Sequence, residues 1–115
     1  MAVQKYLSEH AWDIDAIYAH NDDMALGAIE ILAEEGLRPG VDVKVMSIDG
    51  TSDALKALQN GEMNCVVECN PLLGPQLMKA ITDLMQWKEL PLRIITDEIV
   101  FTAQTPQSLF KNRKY

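Results

Sequence analysis

Apolar residues along this chain keep two different rhythms. Residues 14–19 form a β-branched and aromatic run that stops at His20, Asn21 and Asp22. Beyond it, Met24, Ala25, Ala28, Ile31 and Leu32 recur at spacings of three and four until Gly36. A continuous run that gives way to helical spacing predicts a strand followed by an amphipathic helix. Asn21 or Asp22 can cap that helix, Asp23 favours the positive end of its dipole, and Gly36 suits its end. A second unit repeats the scheme over residues 43–59. Its strand stops at Asp49, Gly50 and Thr51, and Thr51 or Ser52 caps a short helix that buries Ala54, Leu55 and Leu58. Asn60-Gly61 then turns the chain.

Upstream, residues 3–10 read as a helix end, with Trp12-Asp13 as its exit. Downstream, residues 63–68 read as a third strand, halted where Asn70-Pro71 removes a ladder donor and restricts the preceding residue. Pro75 suits the first turn of a helix running to about Trp87, with Leu77, Met78, Ile81, Leu84 and Met85 on one face. Pro91 separates it from a last apolar stretch, residues 94–101, interrupted by Thr96, Asp97 and Glu98. Strands alternating with helices call for a parallel α/β sheet, with the first strand buried in it. Ligands of such sheets bind beyond the carboxyl ends of the strands. His20, Asn21 and Asp22 end one strand here, and Asp49, Gly50 and Thr51 end the next.

The bulk properties narrow the function. At 115 residues the chain suffices for one small domain. A net charge of −7 argues against a nucleic-acid partner, because phosphate binding needs clustered Lys and Arg. Lys111, Arg113 and Lys114 are the only basic cluster, and read as a solubilising tail. No apolar run follows Met1, so no signal peptide is expected in this chain, and none approaches the ~20 apolar residues of a membrane span. Cys65 and Cys69, four residues apart on an extended strand, stand ~13 Å apart, too far for an internal disulfide. The two histidines give no metal-ligand spacing with these thiols. Neither a metal nor a cofactor is expected. Asp22, Asp23 and Asp49 bear a superficial likeness to the acids of a phosphoacceptor receiver domain, but no Lys-Pro ends a later strand. No Ser-His-Asp set or phosphate loop is present. No enzyme chemistry is read from these residues.

Three motifs sharpen this. They are Asn21-Asp22 followed by Met24, Ala25, Gly27 and Ala28; the strand end Asp49-Gly50-Thr51; and Asn60-Gly61 with Met63, leading to Pro71. In this order they resemble the periplasmic sugar-binding proteins of the ribose-binding type, and residues 68–75 look most like the galactofuranose-binding members. The resemblance implies a parallel-sheet, Rossmann-like lobe of a type I periplasmic binding protein, incomplete. Residues 1–69 would belong to the second, C-terminal lobe. Residues 70–97 would be a hinge and a helix returning to the missing first lobe, and residues 98–115 a final crossing strand and tail. The chain would then be a C-terminal piece of the substrate-binding component of a sugar ABC transporter. The full protein would be periplasmic, take a monosaccharide such as galactofuranose or a related aldose between its lobes, and dock on a membrane permease.

On the same resemblance Asn21 and Asp49 contact the sugar. The chemistry suits them: an amide donates and accepts, and a carboxylate takes two hydroxyl donors through charge-assisted bonds. Helix capping for Asn21 and a turn role for Asp49 are the structural alternatives, while Asp22 reads as an N-cap. Ungapped alignment carries a further contact to Cys69, with Glu68 or Asn70 in its stead if the register shifts. His20 either tunes specificity or ends the strand. Trp12 and Trp87 read as packing or surface residues. The effector-binding domain of a sugar-responsive repressor shares the fold, but Asn60-Gly61-Glu62-Met63 has the transporter form. The stripe on residues 75–87 would pack on the missing lobe. Left bare, it predicts a homo-oligomer, most simply a segment-exchanged dimer.

Overall fold

In a computed structural model, residues 2–10, 13–111 and 115 are described. Trp12, Arg113 and Lys114 lie outside them. The elements run α1 (Ala2–His10), β1 (Ala16–Tyr18), α2 (Asp22–Glu34), β2 (Lys44–Asp49), α3 (Ser52–Gln59), β3 (Cys65–Glu68), α4 (Gly74–Met85) and β4 (Val100–Thr102). The fold is α/β with a mostly parallel sheet in the order β1-β2-β3-β4. The first three strands are parallel, with Ile17 beside Val45 and Asp49 beside Glu68, and β4 returns antiparallel with Phe101 beside Val66.

Strand alternation divides the sheet into two unlike faces. Val45, Ser47, Val66 and Phe101 point to one side, where α2 and α3 pack on the sheet and on each other. Ala25, Ile29, Leu32, Leu55, Leu58 and Met63 complete this core. Both helices sit on the same face because successive parallel strands are laid down in one direction through right-handed crossovers. The opposite face carries Tyr18, Met46, Ile48, Val67 and Val100, and among the described residues no helix covers it.

β1 departs from expectation. Its three residues are exposed, half-buried and exposed, because it lies at the sheet's edge beside the uncovered face. In α2 the buried positions are Asp22, Ala25, Ala28, Ile29 and Leu32, whereas Met24 is exposed at the helix start. Three helices end in the same way. The N–H groups of Gly36 and Leu37, Gly61 and Glu62, and Trp87 and Lys88 return to carbonyls of the last turn, the paired bonds of a Schellman motif. Gly36 and Gly61 suit the positive φ this requires, but Trp87 adopts it without being glycine, at +60°. Its side chain is 96% exposed, so it packs into no core.

α4 stands apart. It buries no residue, and Leu77, Met78, Ile81, Leu84 and Met85 are all exposed. Residues 70–98 leave the sheet as an arm and come back as β4. The radius of gyration is consequently 18.2 Å and the long axis 60 Å, whereas a compact domain of this size has a radius near 13 Å. No helix among the described residues is long and apolar enough to cross a membrane.

Candidate sugar-binding edge

The parallel register fixes what the carboxyl edge presents. Tyr18 pairs with Met46, and Ala19 N–H continues the ladder by donating to Met46 O at 2.9 Å. β1 stops at Tyr18 and Asn21 follows just beyond it, while Asp49 closes β2 and pairs with Glu68. The ends of three neighbouring strands therefore meet at one edge, the location where parallel sheets bind ligands.

Asn21 has extended backbone and caps α2: its Oδ1 accepts from Met24 N–H at 2.9 Å. The cap uses the oxygen alone. Nδ2 retains two donors, so capping and ligand contact are compatible at this residue. Asp49 ends β2 with φ at +135°, half-buried, and its carboxylate accepts no hydrogen bond among the described residues. Among the described residues, an acceptor pair and a donor pair are thus left unused near the ends of adjacent strands.

Asp22 is not the cap. It is 1% exposed, and its carboxylate accepts from Ser47 Oγ at 2.5 Å, Thr51 N–H at 2.7 Å, and Gly50 N–H and Thr51 Oγ at 2.9 Å. The cap expected of it falls to Asn21, because Asp22 already lies inside the helix and turns toward β2. Thr51 in turn caps α3 through the same hydroxyl that donates to Asp22.

The remaining candidates differ in readiness. His20 is exposed, with its ring tilted against Tyr18 at 5.6 Å. Cys69 is exposed just past the edge, and its N–H donates to Asp49 O at 2.9 Å. Glu68 is buried, and its carboxylate faces β4: Oε2 accepts from Ile99 N–H at 2.9 Å and Oε1 from Tyr115 Oη at 2.7 Å. Asn70 Oδ1 accepts from Leu72 N–H, closing the turn at Pro71. Cys65 and Cys69 are both free thiols. No group of three His, Cys, Asp or Glu among the described residues is placed to hold a metal. Trp87 lies on the arm beyond α4, far along the chain from Asn21 and Asp49.

The edge is open. A groove of about 460 Å³ lies beside it, lined by Val3, Ile17, Tyr18, Asp23, Met24 and Gly27 among others, but neither Asn21 nor Asp49 contributes to it. A ligand on these two side chains would therefore touch one wall only.

Known proteins share this fold. Residues 1–89 match the periplasmic binding protein domain. The galactofuranose-binding protein YtfQ of Escherichia coli is 34% identical over 89% of the chain, which covers 32% of that relative. Two solved structures superpose closely. The binding-protein component of the arabinose ABC transporter from Shewanella, bound to α- and β-L-arabinofuranose, has a TM-score of 0.85 and 32% identity over 98% of this chain and 38% of its own. A Mycobacterium smegmatis protein in complex with β-D-fucofuranose has a TM-score of 0.81 and 38% identity over 89% of this chain and 33% of its own. The chain spans about a third of the length of these relatives. The Escherichia coli and Shewanella proteins are binding proteins and not enzymes, and this chain belongs to the periplasmic binding protein domain family.

Proposed function

We propose that this chain supplies one wall of the ligand cleft in the substrate-binding component of a sugar ABC transporter. The observation that carries this reading is the position of Asn21 and Asp49 at the carboxyl ends of neighbouring parallel strands. Among the described residues the Asn21 amide nitrogen and the Asp49 carboxylate are not used in hydrogen bonds, a set that suits vicinal sugar hydroxyls. The ligand class is a monosaccharide in furanose form, galactofuranose or a related aldose, because the relatives named above bind galactofuranose, arabinofuranose and fucofuranose. His20 and Cys69 flank this pair and complete the rim. Glu68 fits a structural part better, since its carboxylate is engaged with the residues around β4. The repressor alternative draws no support from these relatives.

In this reading residues 1–69 are part of the second lobe, 70–97 the hinge and returning helix, and 98–115 the final crossing strand and tail. The full-length protein works in the periplasm and delivers its sugar to a membrane permease. Taken alone, the chain self-associates through the bare face of α4, most simply as a two-fold dimer that exchanges the segment after Asn70-Pro71.

Calorimetry tests the assignment. In a full-length relative, alanine at the position matching Asp49 should cost about 2 kcal/mol or more of sugar affinity, because hydroxyl donors are left unpaired in a closed cleft. An unchanged dissociation constant would contradict it. The chain alone should bind pentoses and hexoses weakly, with a dissociation constant of about a millimolar, since one wall of the cleft is missing.

A further inference from the structure

Ser47 interrupts the apolar run of β2, and a hydroxyl buried to 1% exposure in such a strand needs a partner. That partner is Asp22, itself buried to 1% exposure. Asp22 Oδ1 takes the Ser47 hydroxyl, and Oδ2 takes three donors from the loop after β2: Gly50 N–H, Thr51 N–H and the Thr51 hydroxyl. One carboxylate thereby ties the first turn of α2 to both the middle of β2 and the loop beyond it.

The ends of this tie matter. Asn21 lies one peptide bond before Asp22, and Asp49 lies one peptide bond before Gly50. The loop also runs through two consecutive residues of positive φ, Asp49 at +135° and Gly50 at +89°. A non-glycine residue stays in such a conformation only where its surroundings hold it there. Cys69 N–H, donating to Asp49 O at 2.9 Å, holds the residue on one side, and the bonds from Gly50 and Thr51 to Asp22 hold the loop immediately after it.

We infer that Asp22 is a positioning residue. Its buried carboxylate fixes the spacing between Asn21 and Asp49 and holds the loop immediately after Asp49, so that both side chains face one ligand. The inference rests on the sugar-site reading above for what is presented, and on the free protein's own hydrogen bonds for how. Asparagine at position 22 preserves the shape, but it replaces one oxygen by a donor and removes the charge that strengthens all four bonds.

Amide hydrogen exchange on the free chain, combined with NMR titration by L-arabinose, tests both parts. In Asp22→Asn the amides of Gly50 and Thr51 should exchange at least tenfold faster than in the wild type, while Val66 in the core keeps its protection. Sugar-induced shifts at Asp49 should disappear at concentrations that half-saturate the wild type. Gly50 and Thr51 amides as protected as before would overturn the inference. So would faster exchange with undiminished sugar shifts, which is the result a purely structural role gives. If Asp22→Asn does not fold, Ser47→Ala removes a single donor and leaves the core apolar. It should speed exchange at Gly50 and Thr51 severalfold, and no change there would again overturn the inference. A wild type that shows no sugar response refutes the functional reading instead, and the exchange data on the free chain still decide the part played by Asp22.

Discussion

Asn21 and Asp22 are neighbours in sequence and spend their acceptors differently. Asn21 gives its oxygen to the helix start and keeps its nitrogen, whereas Asp22 gives both oxygens to β2 and the following loop. The sequence points to this spot as a ligand edge but assigns the cap to either residue, because both types cap equally well. Only the turn of α2 relative to β2 separates them. A signal was present in Ser47, a lone hydroxyl among Val45, Met46 and Ile48, which required a buried partner nearby. Away from the edge, Arg38 binds Asp42 through its guanidinium at 2.6 Å and 2.9 Å and through its backbone N–H at 2.8 Å. The side-chain bond from Arg38, with its backbone N–H bond next in weight, lowers the Asp42 carboxyl from 3.8 to about 2. Since the folded value is depressed, any contribution to stability is complete above pH 3.8 and lost as pH falls through about 2. A carboxyl-carbon NMR titration should find that low midpoint in the wild type. Arg38→Ala should return it toward 3.8. An ordinary midpoint in the wild type would show that the pair does not persist in solution.

At the scale of elements, the order β1-α2-β2-α3-β3 is legible because each apolar run stops at polar residues and each helix on the sheet ends at a glycine. Burial is less legible. Residues 14–19 look like a core strand, yet β1 takes an edge position, and the sequence alone does not say which strands flank it. Met24 shares helical spacing with Ala28 and Ile31, but it falls at the rim of the buried arc, where Ile29 belongs instead. Two positions make element-level predictions. At Gly40 an added Cβ would stand 2.1 Å from Gly61 O, and φ is +76°. Gly40→Ala should therefore destabilise the sheet by more than about 1 kcal/mol, read as a lower midpoint in urea. At the end of α4, Trp87→Gly relieves the cost of a positive φ, which is ~1 kcal/mol for an L side chain. Slower amide exchange in the last turn of α4 would bear this out, and faster exchange would mean that the tryptophan side chain supports the turn.

The whole molecule has two apolar surfaces without cover among the described residues: the outer face of the sheet, with Tyr18, Val67 and Val100, and the stripe on α4. Parallel sheets are normally covered on both faces. The stripe holds five large apolar residues, each at least 40% exposed. Burying several hundred Å² of such surface returns many kcal/mol before association entropy is charged against it. Light scattering at micromolar concentration should give a dimer mass, and Leu77→Asp with Leu84→Asp should return a monomer. A monomer in the wild type would remove the self-association proposal but leave the sugar edge untouched, since Asn21 and Asp49 lie on the sheet.

Mapping L-arabinose onto the backbone amides of the wild-type chain decides whether this edge receives a sugar. Saturable shifts are expected, confined to His20, Asn21, Asp49 and Gly50, absent from α4, and lost in Asp49→Ala. A millimolar dissociation constant corresponds to about 4 kcal/mol, a scale suited to a single wall of a cleft. Saturable shifts elsewhere with silence at Asn21 and Asp49, or shifts that survive Asp49→Ala unchanged, would contradict a sugar site at this edge.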